Sequence, residues 1–160
     1  DQRGELSDRA RGEGDLPEAQ VVYGFGMNIG GSVNIGGVTV TMTEAFHSSS
    51  TGSPCGYIIR LEDGATLYHA GDTGIFESMR LIAELFPLDL AMLPIGGCFT
   101  MDSSLAARAL NLLKPKLAIP MHYKTFPILE RSADNFVRLA KEQAPKVKVI
   151  VLEPGQEHTW

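Results

Sequence analysis

The sequence predicts an α/β fold in which a mixed set of strands is covered by helices. An alternating segment and a hairpin occupy residues 38–70, and helical and strand-like segments then alternate as far as residue 152. The later strand-like segments are continuous apolar runs, which are typical of strands covered on both faces. A β-rich half followed by βαβ-like units indicates sheets packed against helices.

The first half is predicted to form β-hairpins. Residues 38–45 alternate Val, Val and Met with Thr, the period-2 pattern of a half-buried strand. Residues 56–61 and 65–70 flank the turn sequence Glu-Asp-Gly, which indicates a hairpin. Residues 1–20 are polar and rich in charge, so we predict a mobile lead-in there and one domain over residues 21–160.

Three helices and three strands are predicted in the second half. Residues 75–86 place apolar side chains on one helical face and are followed by Pro87. Asp102 or Ser103 can cap a second helix that runs to about residue 113, and a third spans residues 133–143. The strands that alternate with these helices are predicted at residues 88–95, 116–120 and 147–152.

Charge and hydropathy exclude several classes of protein. The formal charge is 14 − 19 = −5, which argues against the basic face that a general nucleic-acid grip requires. No apolar run approaches the roughly 20 residues that span a bilayer, and no signal pattern begins the sequence, so we expect a cytoplasmic protein without a membrane partner. The two cysteines match no metal-knuckle or redox spacing.

Three polar residues follow predicted strands and form a candidate metal site. Asp72 lies between glycines directly after one strand, and His47 and His122 each follow another. Imidazole nitrogen and carboxylate oxygen suit Zn²⁺, and a bridging aspartate can hold two ions. Each residue alone is more often structural, a turn aspartate or a surface histidine, so the joint pattern carries the prediction.

Five segments identify a resemblance to a known family. The segments are Gly-Met-Asn-Ile-Gly-Gly (26–31), Ala-Phe-His-Ser-Ser-Ser (45–50), Tyr-His-Ala-Gly-Asp-Thr-Gly (68–74), Leu-Pro-Ile-Gly-Gly (93–97) and Pro-Met-His-Tyr (120–123). In this order they resemble uncharacterised metal-dependent hydrolases of the metallo-β-lactamase superfamily, whose relatives include ascorbate-phosphate lactonases and a phospholipase D acting on N-acyl phosphatidylethanolamine. The resemblance covers residues 21–160 and implies the αββα sandwich fold.

The resemblance assigns roles residue by residue. It implies that His47 and Asp72 bind a first metal ion and that Asp72 and His122 bind a second. Asp72 is the implied catalytic residue, which bridges the ions and orients the attacking hydroxide. The resemblance also implies a set of substrate-binding or supporting residues near the mouth of the pocket: Asn28, Thr73, Gly96, Gly97 and Tyr123.

One signature of the superfamily is missing. HxHxDH, which supplies further metal ligands, occurs nowhere in the sequence. We therefore expect a sandwich that is incomplete in its N-terminal half, and neither ion keeps the three protein ligands typical of catalytic zinc. Three explanations for the missing segment remain open: it is supplied as a separate N-terminal chain of the same protein, it was lost by truncation, or the protein is a naturally shortened, non-catalytic relative. An uncovered sheet also favours self-association.

The predicted function is metal-dependent hydrolysis of an ester-like bond, either a phosphodiester or a lactone or carboxyl ester, by a metal-bound hydroxide. Full activity is expected to need the HxHxDH segment. Two divalent ions are implied, with Zn²⁺ favoured and Mn, Fe or Ni open. The alternative is a non-catalytic binding or scaffold module of the same fold, and an RNA-processing enzyme is disfavoured by the acidic charge.

Overall fold

Seven strands form one mixed sheet whose order follows the chain from β1 to β7. The computed structural model describes residues 26–159, so the predicted lead-in, residues 1–20, lies outside the described residues. Strands β1 to β4 pair antiparallel and β4 to β7 pair parallel, which confirms the α/β class. The strands are Ser32–Ile35, Val38–Glu44, Cys55–Arg60, Thr66–His69, Leu90–Pro94, Leu117–Met121 and Lys148–Val149.

Strand β1 was absent from the sequence prediction. It forms a hairpin with β2 through the two-residue turn Gly36-Gly37, and both glycines have positive φ, 57° and 88°. Two-residue hairpin turns of this kind require positive φ, which glycine adopts without steric cost. The Gly-Gly pair between Ile35 and Val38 is the sequence signal that would have located this strand.

Three helices cover one face of the sheet: α1 (Met79–Leu85), α2 (Ser103–Leu113) and α3 (Asp134–Gln143). The predicted beginning of α1 at residue 75 is wrong, because Phe76 instead packs against Phe46, with the ring centroids 5.2 Å apart. The Gly74 amide also donates to the Phe46 carbonyl oxygen at 3.0 Å, which holds the chain in a loop before the helix. The other two helices confirm their predictions to within a few residues.

Strand β7 is shorter than the predicted strand at residues 147–152. Its ladder to β6 ends after the Ile150 amide donates to the Ala118 carbonyl oxygen at 2.9 Å. Pro120 is the next residue of β6 that faces β7, and it has no N–H to donate. The missing donor ends the pairing.

The main core lies between the helices and one face of the sheet. Ile58, Tyr68, Ala91 and Leu93 on that face are almost completely buried and pack with residues of all three helices. Burial raises the pKa of the Tyr68 hydroxyl. Within residues 26–159, no helix is long and apolar enough to cross a membrane.

The opposite face of the sheet is also apolar, and we call it the open face. Residues paired across strands share a face, so the register defines its members. All three described helices belong to the core on the other side, and most apolar side chains of the open face are only partly buried, with Met42, Leu90 and Pro94 as the buried exceptions. The apolar residues of the open face include Val33, Val40, Met42, Tyr57, Ile59, Leu67, Leu90, Met92, Pro94, Leu117, Ile119 and Met121.

Asp89 joins the parallel strands at the edge where they begin. Its carboxylate accepts from the Thr66 amide and from the Lys116 ammonium group, each at 2.8 Å, and its carbonyl oxygen accepts from the Leu117 amide at 2.9 Å. The bond from Lys116, followed by that from Thr66, lowers the pKa of Asp89. This edge is therefore fastened by charge-assisted hydrogen bonds, and the candidate site lies at the other edge.

Candidate metal centre

The three predicted ligands lie at one edge of the sheet. Strands β2, β4 and β6 run in the same direction, so their carboxyl ends meet at the same edge. His47 follows β2, Asp72 follows β4 and His122 follows β6. The topology thus assembles side chains that are 25 and 50 residues apart in sequence, as the positions of the predicted strand ends indicated.

Asp72 and His122 are in direct contact. The His122 Nε2 atom lies 3.3 Å from Asp72 Oδ2, and 48% of the aspartate side chain is exposed compared with 24% of the histidine. The other ring nitrogen, Nδ1, is buried and has no hydrogen-bond partner among the described residues. Asp72 is carried on a corner that begins at Gly71, whose φ is +65° and where an added Cβ would lie 2.2 Å from the Cys55 carbonyl oxygen.

His122 has an unusual backbone conformation. Its φ is 55°, in a region that side chains with a Cβ seldom adopt, although histidine is among the residues that enter it most often. Such conformations persist only where surrounding contacts enforce them, and they concentrate at functional sites. The strained corner directs the imidazole towards Asp72.

His47 shares a cavity with Asp72. The cavity has a volume of about 240 Å³ and is lined by the 47–49 and 53–55 segments together with Asp72. The His47 ring is exposed, and its Nδ1 lies 2.8 Å from the Ser48 carbonyl oxygen. The structure therefore brings Asp72 and His122 into contact and places His47 on the wall beside Asp72, with no ion pair between the two in the part of the chain described.

The donor set fits part of a metal site. One carboxylate and two imidazoles are the ligands that Zn²⁺ and related ions take. However, residues 26–159 contain no group of three or more His, Cys, Asp or Glu side chains close enough to hold one ion. Catalytic zinc usually has three protein ligands, so a complete site needs donors from outside the described residues.

Thr73 connects three loops of the site from a fully buried position. Its hydroxyl accepts from the Phe46 amide at 2.9 Å and donates to the Gly74 carbonyl oxygen at 2.7 Å. Its own carbonyl oxygen accepts from the Met101 amide at 3.0 Å. These bonds attach the segment before His47 and the loop after β5 to the corner that carries Asp72. Thr73 therefore stabilises the site from its buried position.

The remaining predicted residues lie around this edge. Gly97 has φ +71° and opens the loop after β5, and its neighbour Gly96 is buried against the His122 carbonyl. Tyr123 packs partly against the core, with the Lys124 ammonium 5.6 Å from its ring centroid. Asn28 lies in an exposed turn, where its carbonyl oxygen accepts from the Gly31 amide at 2.9 Å, and its side chain makes no hydrogen bond to the described residues.

Sequence reasoning missed two features of this edge. Four large apolar side chains are exposed on its loops: Phe46 (58%), Phe99 (56%), Phe126 (54%) and Ile128 (66%). Glu130 also reaches from the loop after β6 to the buried Ser103 at the beginning of α2. The apolar residues could have been found from the sequence, because they are Phe and Ile residues in segments predicted to be loops. No feature of the sequence distinguishes Glu130 from other glutamates.

A larger cavity lies at the opposite edge of the sheet and carries none of the predicted site residues. Its volume is about 1000 Å³, and its lining includes Arg60, Asp89 and Lys116. Asp89 and Lys116 pair with each other there. The smaller cavity is therefore the candidate site, because its lining includes the predicted ligands His47 and Asp72 although its volume is smaller.

Comparison with known sequences finds one family model and several metal-dependent hydrolases that match most of this chain. Residues 5–123 match the family described as the beta-lactamase superfamily domain. A metal-dependent hydrolase of Nitratidesulfovibrio vulgaris (strain DP4) is 49% identical over 147 residues, which cover 92% of this chain and 62% of the relative. A metal-dependent hydrolase of Pyrobaculum islandicum is 46% identical over 144 residues, covering 89% of this chain and 62% of the relative.

Solved structures match the overall fold of this chain. Igni18, a metallo hydrolase from the archaeon Ignicoccus hospitalis, matches with a TM-score of 0.76 and 43% identity over 82% of this chain and 58% of that chain. A Thermotoga maritima protein described as a Zn-dependent hydrolase of the metallo-β-lactamase superfamily matches with a TM-score of 0.61 and 26% identity, covering 78% of this chain and 70% of that chain. The chain spans about three fifths of the length of the two sequence relatives described above.

Proposed function

The chain belongs to the beta-lactamase superfamily domain family, and from this membership we propose that it forms the larger part of a metal-dependent hydrolase acting on an ester-like bond. The observation that carries the proposal is the 3.3 Å contact between Asp72 and His122 at the carboxyl edge of the sheet. With His47 on the wall of the adjacent cavity, this edge offers the donors of part of a dinuclear site.

In this proposal Asp72 contributes to both ions, His47 to the first and His122 to the second. Divalent metal ions, when bound, would lower the pKa of a water molecule and stabilise negative charge that develops on a substrate oxygen. Zn²⁺ suits the ligands best, and Mn, Fe or Ni remain compatible with them. Asp72 would also accept a hydrogen bond from the attacking water and so orient it.

The remaining donors come, in this proposal, from a segment that this chain does not contain. The sequence relatives extend beyond the matched region by more than a third of their length, and the described residues hold no three-donor group. The open face supports the same idea, because a contiguous apolar sheet surface on a folded protein is normally covered. An apolar-faced polypeptide, supplied as a separate N-terminal chain, would cover it.

The substrate is proposed to be a small molecule with an ester-like bond, either a phosphodiester or a lactone or carboxyl ester. Phe46, Phe99 and Phe126 project from three different loops at the edge that carries Asp72. Exposed apolar groups beside a polar centre favour a substrate whose non-reacting part is apolar. The net charge of −5 gives a general nucleic-acid substrate no support.

Complementation tests this function. The chain would be co-expressed with the portion of the Nitratidesulfovibrio vulgaris relative that it does not match, loaded with Zn²⁺, and assayed with p-nitrophenyl butyrate and bis-p-nitrophenyl phosphate. We expect hydrolysis of at least one compound, lost on chelation and restored by metal. Asp63→Asn, an exposed change at the opposite edge, serves as the control that keeps activity. A complex that binds metal but cleaves neither compound would contradict the ester-like substrate.

The second candidate function is a non-catalytic scaffold of the same fold, which the absence of a three-donor group within residues 26–159 favours. In that case the complementing portion would bind the open face, but the complex would take up no metal. Metal content of the purified complex therefore separates the two functions before any substrate is tried.

A further inference from the structure

We infer that Glu130 is a positioning residue that holds His122 in its metal-binding orientation. The inference rests on the proposed function, in which His122 is a ligand. The carboxylate of Glu130 hydrogen-bonds to Ser103 and not to Asp72 or His122. Glu130 acts through the loop that joins it to His122, which its backbone and its carboxylate attach to neighbouring segments.

The backbone of Glu130 closes the loop that follows β6. Its carbonyl oxygen accepts from the Lys124 amide at 2.9 Å, and its amide donates to the Gly96 carbonyl oxygen at 3.0 Å. Leu129, the residue before it, is 3% exposed. Gly96 in turn lies so close to the His122 carbonyl that a Cβ there would be 2.2 Å from its oxygen. Glu130 therefore links the segment just after His122 to the Gly96 backbone that packs against the His122 carbonyl.

The carboxylate of Glu130 fixes the loop to helix α2. The Ser103 amide donates to Glu130 Oε1 at 2.8 Å, and the Ser103 hydroxyl donates to Oε2. Ser103 is fully buried at the first position of the helix, where its amide has no partner within the helix. A carboxylate is stabilised at this end by the helix dipole, so the attachment is strong for a loop residue.

His122 depends on such an attachment. His122 and Lys124 both have positive φ, 55° and 67°, a conformation that relaxes unless contacts enforce it. The Nδ1 atom of His122, which in metal sites usually donates to a neighbouring group that orients the ring, has no partner among the described residues. The anchoring of the loop by the Glu130 carboxylate and backbone takes the place of that orienting bond.

A purely structural role at the helix end is distinguishable from this one. Helix α2 has its own cap, because Asp102 Oδ1 accepts from the Leu105 amide at 2.8 Å. Loss of Glu130 should therefore free the loop and leave α2 intact, whereas loss of Asp102 should weaken the helix end and leave the loop in place. The two carboxylates at one helix end form a matched pair for the test.

The first test uses the metal-free chain, so that it does not depend on the metal. Hydrogen exchange would be measured for the Lys124 and Glu130 amides and for interior amides of α2 in Glu130→Ala, Glu130→Gln and Asp102→Ala. We expect the two loop amides to exchange at least about tenfold faster in Glu130→Ala, with α2 interior amides unchanged. Glu130→Gln, whose amide oxygen can still accept from Ser103, should restore most of the protection. Loop exchange in Glu130→Ala at the rate of the unmodified chain would overturn the inference.

The second test measures Zn²⁺ affinity of the complemented protein by chelator competition. Glu130→Ala should weaken the second ion by about 10- to 100-fold, the range found when a group supporting a ligand is lost. Asp102→Ala should leave affinity within about twofold, and an equal loss in both variants would overturn the positioning role. If the unmodified complex binds no Zn²⁺, the proposed function fails, and the exchange experiment still decides whether Glu130 holds the loop.

Discussion

Replacing Asp72 with alanine should abolish the binding of two metal ions and, with it, hydrolysis by the complemented protein. Asp72 is the predicted ligand placed beside both other donors, since it contacts His122 and lines the cavity with His47. In the proposed dinuclear site, its loss would remove a ligand from each ion. We therefore expect a loss of kcat/KM greater than the roughly 10- to 100-fold that follows removal of a group behind a ligand.

The Asp72 variant should fold normally. About half of its side chain is exposed, and Asp72 is not a member of the hydrophobic core, so removing the side chain should change the free energy of unfolding by less than about 0.5 kcal/mol. Circular dichroism and thermal melting check this point, and Asp63→Asn is the matched control in the kinetic assay. Full metal content and turnover in Asp72→Ala would show that the ligand assignment is wrong.

Replacing Gly96 with alanine should destabilise the chain strongly and disturb the His122 corner. The new Cβ would lie 2.2 Å from the His122 carbonyl oxygen and 3.3 Å from Leu129 Cδ1. The first neighbour is backbone and cannot rotate away, so the β5 and β6 loops must separate. We expect a cost of about 3 kcal/mol, equivalent to a fall in melting temperature of roughly 6–12 °C for a domain of this size.

Gly74→Ala is the control for this substitution. Gly74 lies in the same site, but an added Cβ there would be 3.9 Å from the Phe46 carbonyl oxygen, an ordinary contact, and its φ lies outside the positive range. We expect a change of less than about 0.5 kcal/mol in its free energy of unfolding. Equal melting temperatures for the two variants would show that Gly96 is not required by the close approach of His122.

The sequence predicted most of the fold because hydrophobic period and turn residues act locally. The Glu-Asp-Gly turn formed the predicted hairpin, with the Leu61 amide donating to the Ala65 carbonyl oxygen at 2.9 Å, and Asp102 capped α2 as expected. The wrong predictions arose from contacts between segments distant in sequence. Phe76 packs on Phe46 instead of joining the helix, and Pro120, a residue of β6, has no N–H to donate to β7 and so shortens that neighbouring strand.

The candidate site was only partly accessible to sequence reasoning. Asp72, His47 and His122 could be found because each follows a strand whose end is visible in the pattern. The contact between Asp72 and His122 depends on the parallel pairing of β4, β5 and β6, which no local signal specifies. The link from Glu130 to Ser103 joins residues 27 positions apart and leaves no spacing to recognise.

The central claim is that this chain carries one part of a dinuclear metal site, and metal stoichiometry tests it most directly. Elemental mass spectrometry would be applied to the purified chain alone and to the chain co-purified with the complementing portion of its relative. We predict well under one ion per chain for the chain alone, and a rise towards two ions when the complementing portion is present. Two tightly held ions on the chain alone, or none in the complex, would contradict the account.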